Sequence, residues 1–379
     1  MARDISGRLT RLNARRKGMD RLGELTETAQ VDVLAKSIQS ERWQKRASTG
    51  QPYTRYALGA MQEVDRDYTR ISIETAQRVG GQLNTGLTSA GYQVDFRLQG
   101  SVPLNVHIRG VSDVDLLNLD TSFLTYASYG VRGQNGWYSS TTKTSLGVLS
   151  ALRGEAEAIL KAKYPAAKVD CTGGKAINIS GGSLARPVDV VPSHWNDTID
   201  YQASEQEHDR GVTILNKRVP QTIDNLPFLH IKLISDRCTL ALGGLKKAIR
   251  LCKNVKNDAQ EEGKTINLSS FDIAATMYHA DLGTLRAGGT YELAILAETQ
   301  RHLDWLTMNE AEAKKLRVPD GSRAIFDTAE KLAALRTLSL EMDDLAKEVA
   351  REQRPSLAYS DYSLSDSRTA LSSAYIPSL

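Results

Sequence analysis

With 379 residues, 41% hydrophobic and 25% charged, the chain has ordinary globular composition and enough material for two to three domains or one two-lobed unit. Its formal net charge of +3 supplies no whole-molecule field for nucleic acid, and no run of about 18 apolar residues is present to cross a membrane. Cys171, Cys238 and Cys252 are far apart and form no CxxC pair, which argues against a disulfide framework or a cysteine-rich zinc site and points to a reducing, cytoplasmic setting.

Residues 3–21 carry seven Lys/Arg against two acids. They lack the apolar stretch of a secretory signal and read as a solvated or frayed helix rather than an RNA contact. From about Ala57 to Ala90, Leu58, Met61, Val64, Tyr68, Ile71 and Ile73 recur near helical spacing and predict one long helix that ends at Gly91. GYQVDFRLQGS and SDVDLLNLD alternate apolar and polar residues, predicting two strands joined by a loop with Pro103 and Gly110. The Gly-, Ser- and Tyr-rich segment 126–142 reads as an irregular surface excursion. LGVLSALRGEAEAILKAKYP reads as a helix that stops before Pro165.

AKVDCTG, KAINISG and ARPVDVVPSHW predict three further strands. After Pro220 the pattern becomes helical, through LPFLHIKLISDRC, GGLKKAIRLCKNVKNDAQEEG and LSSFDIAATMYHA to about Arg351. The Ser- and Tyr-rich end from Pro355 has no apolar period and reads as a flexible tail. The expected division is a mixed α/β lobe with N-terminal helices (1–219), a helical lobe (220–354) and a tail (355–379), with the active site in the cleft between the lobes.

The chemistry sits in the strands. Asp113 and Asp115 lie two apart in VSDVDLL, so in a strand both carboxylates face one side while Val114 and Leu116 face the other. Carboxylates ~7 Å apart along a strand repel one another unless a cation lies between them. A divalent metal, magnesium above all, is the natural partner. Gly100-Ser101 ends the preceding strand, where glycine permits close backbone approach and the serine N–H and hydroxyl can hold a phosphate. Asp189 in RPVDVVPSHW has Val188 and Val190 on either side, which makes it a third strand carboxylate. Together the three acids could hold two metals that activate an attacking hydroxyl and stabilise a leaving pyrophosphate.

The order LQGS, eleven residues, DVDLL, and then VDVV resembles the polymerase-beta-type nucleotidyltransferase signature. That resemblance implies an α+β fold: a nucleotidyltransferase lobe with a mixed sheet, plus a C-terminal helical lobe. It gives Gly100 and Ser101 the triphosphate, Asp113 and Asp115 both metals, and Asp189 the attacking hydroxyl. Two Mg2+ ions, or Mn2+ in their place, and ATP or other nucleoside triphosphates follow as cofactors and substrates.

The helical half narrows the resemblance. In GGLKKAIRLCKNVKND, Leu245, Ala248, Ile249, Leu251, Cys252 and Val255 share one face, and Lys246, Arg250 and Lys253 form an adjacent basic edge. By composition alone that edge is a solvated helix face. In NLSSFDIAATMYHA, Ser270 and Phe271 stand at a helix start, where free N–H groups suit anions and a ring can stack on a base. This pairing resembles the cyclic GMP-AMP synthase and oligoadenylate synthase branch, and most of all its bacterial members, the CD-NTases. The resemblance spans roughly residues 55–300. It implies that Lys253 contacts triphosphate, Ser270 contacts phosphate or ribose, and Phe271 stacks on a base.

The implied product is a cyclic di- or trinucleotide made without a nucleic-acid template, passed to a downstream effector in antiphage defence. A monomer is expected. The zinc insertion of the animal DNA sensor is absent, and Phe271 stands where tyrosine is common. The alternatives are a linear-product or RNA-end nucleotidyltransferase and, from another class, an inactive nucleotide- or RNA-binding scaffold. His194, His208, His230, His279 and His302 have no metal-ligand spacing and read as surface or packing residues. Trp195 is expected to pack under the catalytic sheet.

Overall fold

The computed structural model describes residues 4–17, 23, 27, 30–31, 41–108, 112–359 and 362–377. Gly110, like Arg3 and Arg21 of the basic N-terminal stretch, lies outside the described residues.

Helix α1 (Ile5–Lys17) comes first, followed by α2 (Pro52–Met61), which opens on a proline, and α3 (Arg66–Ser89). Proline at the first helical position gives up no hydrogen bond and presets φ. The single helix expected over 57–90 is two helices. Gln62 is extended (φ −67, ψ 146), and the Asp65 carboxylate accepts from the N–H groups of Asp67 and Tyr68. A side chain that satisfies the free amides of a new first turn favours a fresh helix over a continued one.

Strands β1 (Val94–Gln99) and β2 (Val114–Tyr126) follow, then α4 (Ser145–Lys163), capped by Thr144, and strands β3 (Lys168–Asp170), β4 (Ile177–Ser180), β5 (Val188–Asp197), β6 (Gly211–Asn216) and β7 (Gln221–Asn225). They form one mixed sheet in the order β1-β2-β5-β4-β3, with β6 joining the free part of the β5 edge and β7 joining β6. Only β2 and β5 pair in parallel; the other pairings are antiparallel. Strand alternation puts Val114, Leu116, Val188 and Val190 on the face covered by Leu83 and Leu87 of α3 and by Leu149 and Leu152 of α4. The opposite face carries the aspartates and a smaller cluster of Leu117, Leu119, Val191 and Trp195, with Phe228 against it. Trp195 therefore packs on the aspartate side of the sheet.

The main helices of the helical half are α5 (Pro227–Leu240), α6 (Gly244–Glu261), α7 (Ser270–Tyr278), α8 (Ala294–Met308), α9 (Ala329–Gln353) and α10 (Leu364–Ser372). Three expectations about its limits change. Strands β6 and β7 carry the sheet to Asn225, past residue 219. Helices α1 and α2 pack into the helical core rather than the α/β half, through Leu12, Tyr56 and Leu58. The segment expected as a flexible tail contains α10, whose Ala370 and Leu371, with Ile376 beyond it, are buried in that same core. Periodicity in a nine-residue helix is too short a signal to stand out among serines.

Nor is the basic N-terminal helix solvated. Arg8 and Arg15 are buried, and Arg15 donates two hydrogen bonds to Asp258 at 2.8 and 2.9 Å. The Tyr56 hydroxyl donates to the same carboxylate at 2.5 Å. Arg8 pairs with Glu262 and Glu341. Buried charges persist only when paired in this way.

Candidate active site

Register builds the site. Asp115 on β2 lies opposite Asp189 on β5, Asp189 lies opposite Asn178 on β4, and Gln99 on β1 lies opposite Asp115. One polar row thus crosses four strands. Asp115, Asp189 and Asn178 each sit between apolar residues, Val114 and Leu116, Val188 and Val190, Ile177 and Ile179, all buried. Burial of the flanks fixes which face the acids take. Asp113 stands one residue before β2, and the next amide, of Val114, donates to the Pro187 carbonyl at 3.2 Å.

Gly100 has φ +78, and a Cβ built there would lie 2.2 Å from Asp115 Oδ2. Backbone and carboxylate meet at a spacing that only glycine allows. Ser101 follows in the turn, where its carbonyl accepts from the Val106 N–H at 3.0 Å.

Electrostatics mark the row. The Asp115 carboxyl is pushed up to about 7 by burial first, then by the charges of Asp189 and Asp113, with Lys253 opposing. Burial also raises Asp189, against a lowering hydrogen bond from Asn178. Acids held this close and this dry favour a cation among them. Among the described residues no three His, Cys, Asp or Glu side chains form a ready-made metal cluster. Magnesium ordinarily takes one or two carboxylates and completes its shell with phosphate oxygens and water. The aspartate row therefore fits divalent ions whose coordination shell water or phosphate oxygens complete.

A cleft of about 330 Å³ brings Gly100, Ser101, Asp113, Asp115 and Asp189 together with Ser270 and Phe271 of α7. Seven of the eight residues singled out from the sequence meet there. Ser270 is the exposed first residue of α7, while the cap is Ser269, which accepts from the Asp272 N–H. Phe271 stacks on His230 with centroids 4.2 Å apart and planes at 26°. The Arg323 guanidinium lies 5.2 Å from the Phe271 centroid and is held by Asp272 at 2.6 Å.

Lys253 is the exception and a correction. It is buried, does not line the cleft, and donates to the Val106 carbonyl at 2.9 Å and the Ser112 hydroxyl at 3.3 Å. Its neighbour Arg250, also buried, donates to the carbonyls of Met61 and Asn105 at 2.8 and 2.7 Å. Arg250 and Lys253 of the supposed basic edge are therefore not a solvated face. They brace the backbone at Met61, Asn105 and Val106, beside the turn that carries Ser101. Burial brings the Lys253 ammonium down to about 7, with Asp115 pulling it up.

Sequence reasoning missed Asn178 and passed over His230. Ile177-Asn178-Ile179 has the same apolar–polar–apolar pattern as the strands bearing Asp115 and Asp189, and that pattern was a usable signal. His230 does pack, as expected, but against Phe271 in the wall of the cleft, its imidazole kept near 4 by burial and so neutral. His107, fully buried, accepts or donates at Thr69 Oγ1 behind the turn, and nothing in its flanks announces that place.

No family model matches the chain. It is 45% identical, over 92% of its length and 93% of the relative's, to the cyclic dinucleotide synthase CdnE of Yersinia aleksiciae. It is 30% identical to a c-di-GMP synthase of Lachnospiraceae bacterium (strain RUG226), over 77% of this chain and 86% of that one. Among solved structures, a STING-associated CdnE c-di-GMP synthase from Capnocytophaga granulosa superposes with a TM-score of 0.68 at 26% identity, covering 90% of this chain and 97% of that one.

Proposed function

The chain belongs to the bacterial CD-NTases, nucleotidyltransferases with a polymerase-beta-type fold, and from that membership we propose that it condenses two nucleoside triphosphates into a cyclic dinucleotide. The observation that carries this is the aspartate row: Asp115 opposite Asp189, with Asp113 at its mouth, facing a cleft that also holds Ser101 and Phe271.

In the first transfer a ribose hydroxyl of one nucleotide attacks the α-phosphorus of the other, and the bond to pyrophosphate breaks. The product is a linear dinucleotide that keeps one 5′-triphosphate. In the second transfer its free ribose hydroxyl attacks its own α-phosphorus, releases a second pyrophosphate and closes the ring. Divalent metal, Mg2+ or Mn2+, would be held by Asp113, Asp115 and Asp189, and supplies hydroxyl activation and leaving-group stabilisation when bound. Asp189 orients the attacking hydroxyl. The Ser101 N–H and hydroxyl, opened by the glycine before them, hold phosphate oxygens. Phe271, backed by His230, presents a ring to a base, and Ser270 reaches phosphate or ribose.

GTP is the first substrate to try, because the relatives at 26–31% identity include three c-di-GMP synthases. A STING-associated relative supports a nucleotide-binding effector downstream. We place the reaction in the cytoplasm, in a monomeric enzyme that needs no template and serves antiphage defence; among the described residues no helix is long and apolar enough to cross a membrane. Incubation with each labelled triphosphate and Mg2+, with product masses determined, tests the proposal. A mass equal to two nucleotide monophosphates less two waters is expected. A ladder of linear products would favour an RNA-end nucleotidyltransferase, and no product at all a scaffold.

A further inference from the structure

Strand β4 contributes one polar side chain to the aspartate row. Asn178 Nδ2 donates to Asp189 Oδ1 at 2.8 Å and to Asp113 Oδ2 at 3.1 Å. With carboxylates as both partners, the NH2 end is the only end of the amide that fits, since carboxylates accept and do not donate. Both of its protons are committed, one to each acid.

The two acids need different support. Asp189 lies within β5 and is held by ladders to β2 and β4 on either side. Asp113 precedes β2, so no ladder places it. Its carboxylate is tied to Asn178 across the end of the sheet. The bridging group is also suited to a cation site. A lysine or arginine there would neutralise the acids and repel an incoming cation; an aspartate would add repulsion. An amide spaces the two carboxylates and leaves their charge intact.

We propose that Asn178 is a positioning residue for the divalent-cation site, setting the separation and orientation of Asp113 and Asp189 before nucleotide arrives. This rests on the nucleotidyltransferase reading. Partners that orient metal-binding side chains typically change metal affinity or activity by 10–100-fold when lost.

The test uses the full chain and two readouts: the rise in Tm on titration with MgCl2 alone, and the Mg2+ concentration for half-maximal turnover at saturating triphosphate. Asn178→Ala is expected to move both midpoints up by about 10–100-fold, with nucleotide KM at saturating Mg2+ close to wild type. Asn178→Asp is expected to lower Tm without metal and to show a larger Mg2+-induced rise. Should Asn178→Ala fail to fold, Asn178→Ser, which keeps a shorter donor, is read in the same titrations and is expected to shift less than a full deletion but in the same direction. A lower Tm with both Mg2+ midpoints unmoved would make Asn178 merely structural and overturn the proposal. A wild type with no Mg2+ response would instead overturn the cation site itself, and this role with it.

Discussion

At Asp115 the site's chemistry and its cost to the fold coincide. A carboxyl raised to about 7 from 3.8 binds its proton more tightly folded than unfolded. Stability contributed by this group is therefore present at low pH and falls as pH rises through the window between those values. Metal-free protein should lose stability between about pH 4 and pH 7, and Asp115→Asn should flatten that part of the Tm–pH curve while abolishing product. An unchanged curve would place the carboxylate elsewhere. Gly100→Ala should act on the same atom, because its Cβ would stand 2.2 Å from Asp115 Oδ2 in a φ +78 backbone. The expected cost is about 1–3 kcal/mol of strain, read by urea unfolding, with turnover lost because the carboxylate must move. Phe271→Ala removes a stacking platform worth ~1–3 kcal/mol, roughly tenfold to a hundredfold in apparent nucleotide affinity. Phe271→Tyr, which keeps the ring over His230, should be nearly silent in steady-state KM.

Among the elements, helix α6 serves as a strut, with two of its cations, Arg250 and Lys253, as buried as its apolar side chains. Lys253 and Arg250 reach from it to carbonyls at Val106, Asn105 and Met61, and so fix the backbone just after Ser101. Lys253→Met would leave the Val106 carbonyl without its donor, at about 1–3 kcal/mol. Faster amide exchange is expected over 101–108, with every triphosphate affected alike. A raised nucleotide KM with unaltered exchange and Tm would return Lys253 to a direct phosphate role. Helix α1 is held by a different device. Arg15 and Tyr56 converge on Asp258, which is wholly buried. Asp258→Ala strands a buried guanidinium and should cost about 3–5 kcal/mol, measured as a shift in the urea midpoint.

On the scale of the whole molecule, two cores meet at one cleft: the sheet supplies the acids and α7 supplies Ser270 and Phe271. The near-neutral balance of +3 matters more once Arg8 and Arg15 of the N-terminal helix are seen to be spent on Asp258, Glu262 and Glu341. Arginines paired inside the fold offer nothing to an RNA backbone. Nuclease treatment of the purified enzyme should accordingly leave its rate unchanged; a large drop would favour an RNA-end or nucleic-acid-activated enzyme.

The amino-acid sequence by itself determined the strands β1 to β5, their inward faces and the acids upon them, because a period of two leaves little freedom once Val114, Leu116, Val188 and Val190 must be buried; β6 and β7, short and beyond the expected end of the sheet, it did not announce. It determined the glycine before Ser101 and the family for the same reason: both rest on local spacing. What lies between elements required the tertiary structure. Whether Lys253 met solvent, phosphate or a carbonyl depended on what packed against α6, and a helical wheel cannot say. Arg8 and Arg15 looked solvated because their partners lie more than two hundred residues away. Asn178 needed register across three strands, and α10 needed a core to bury its short apolar stripe. Side chains paired within one turn or one strand are legible in sequence; those whose partners arrive only on folding are not.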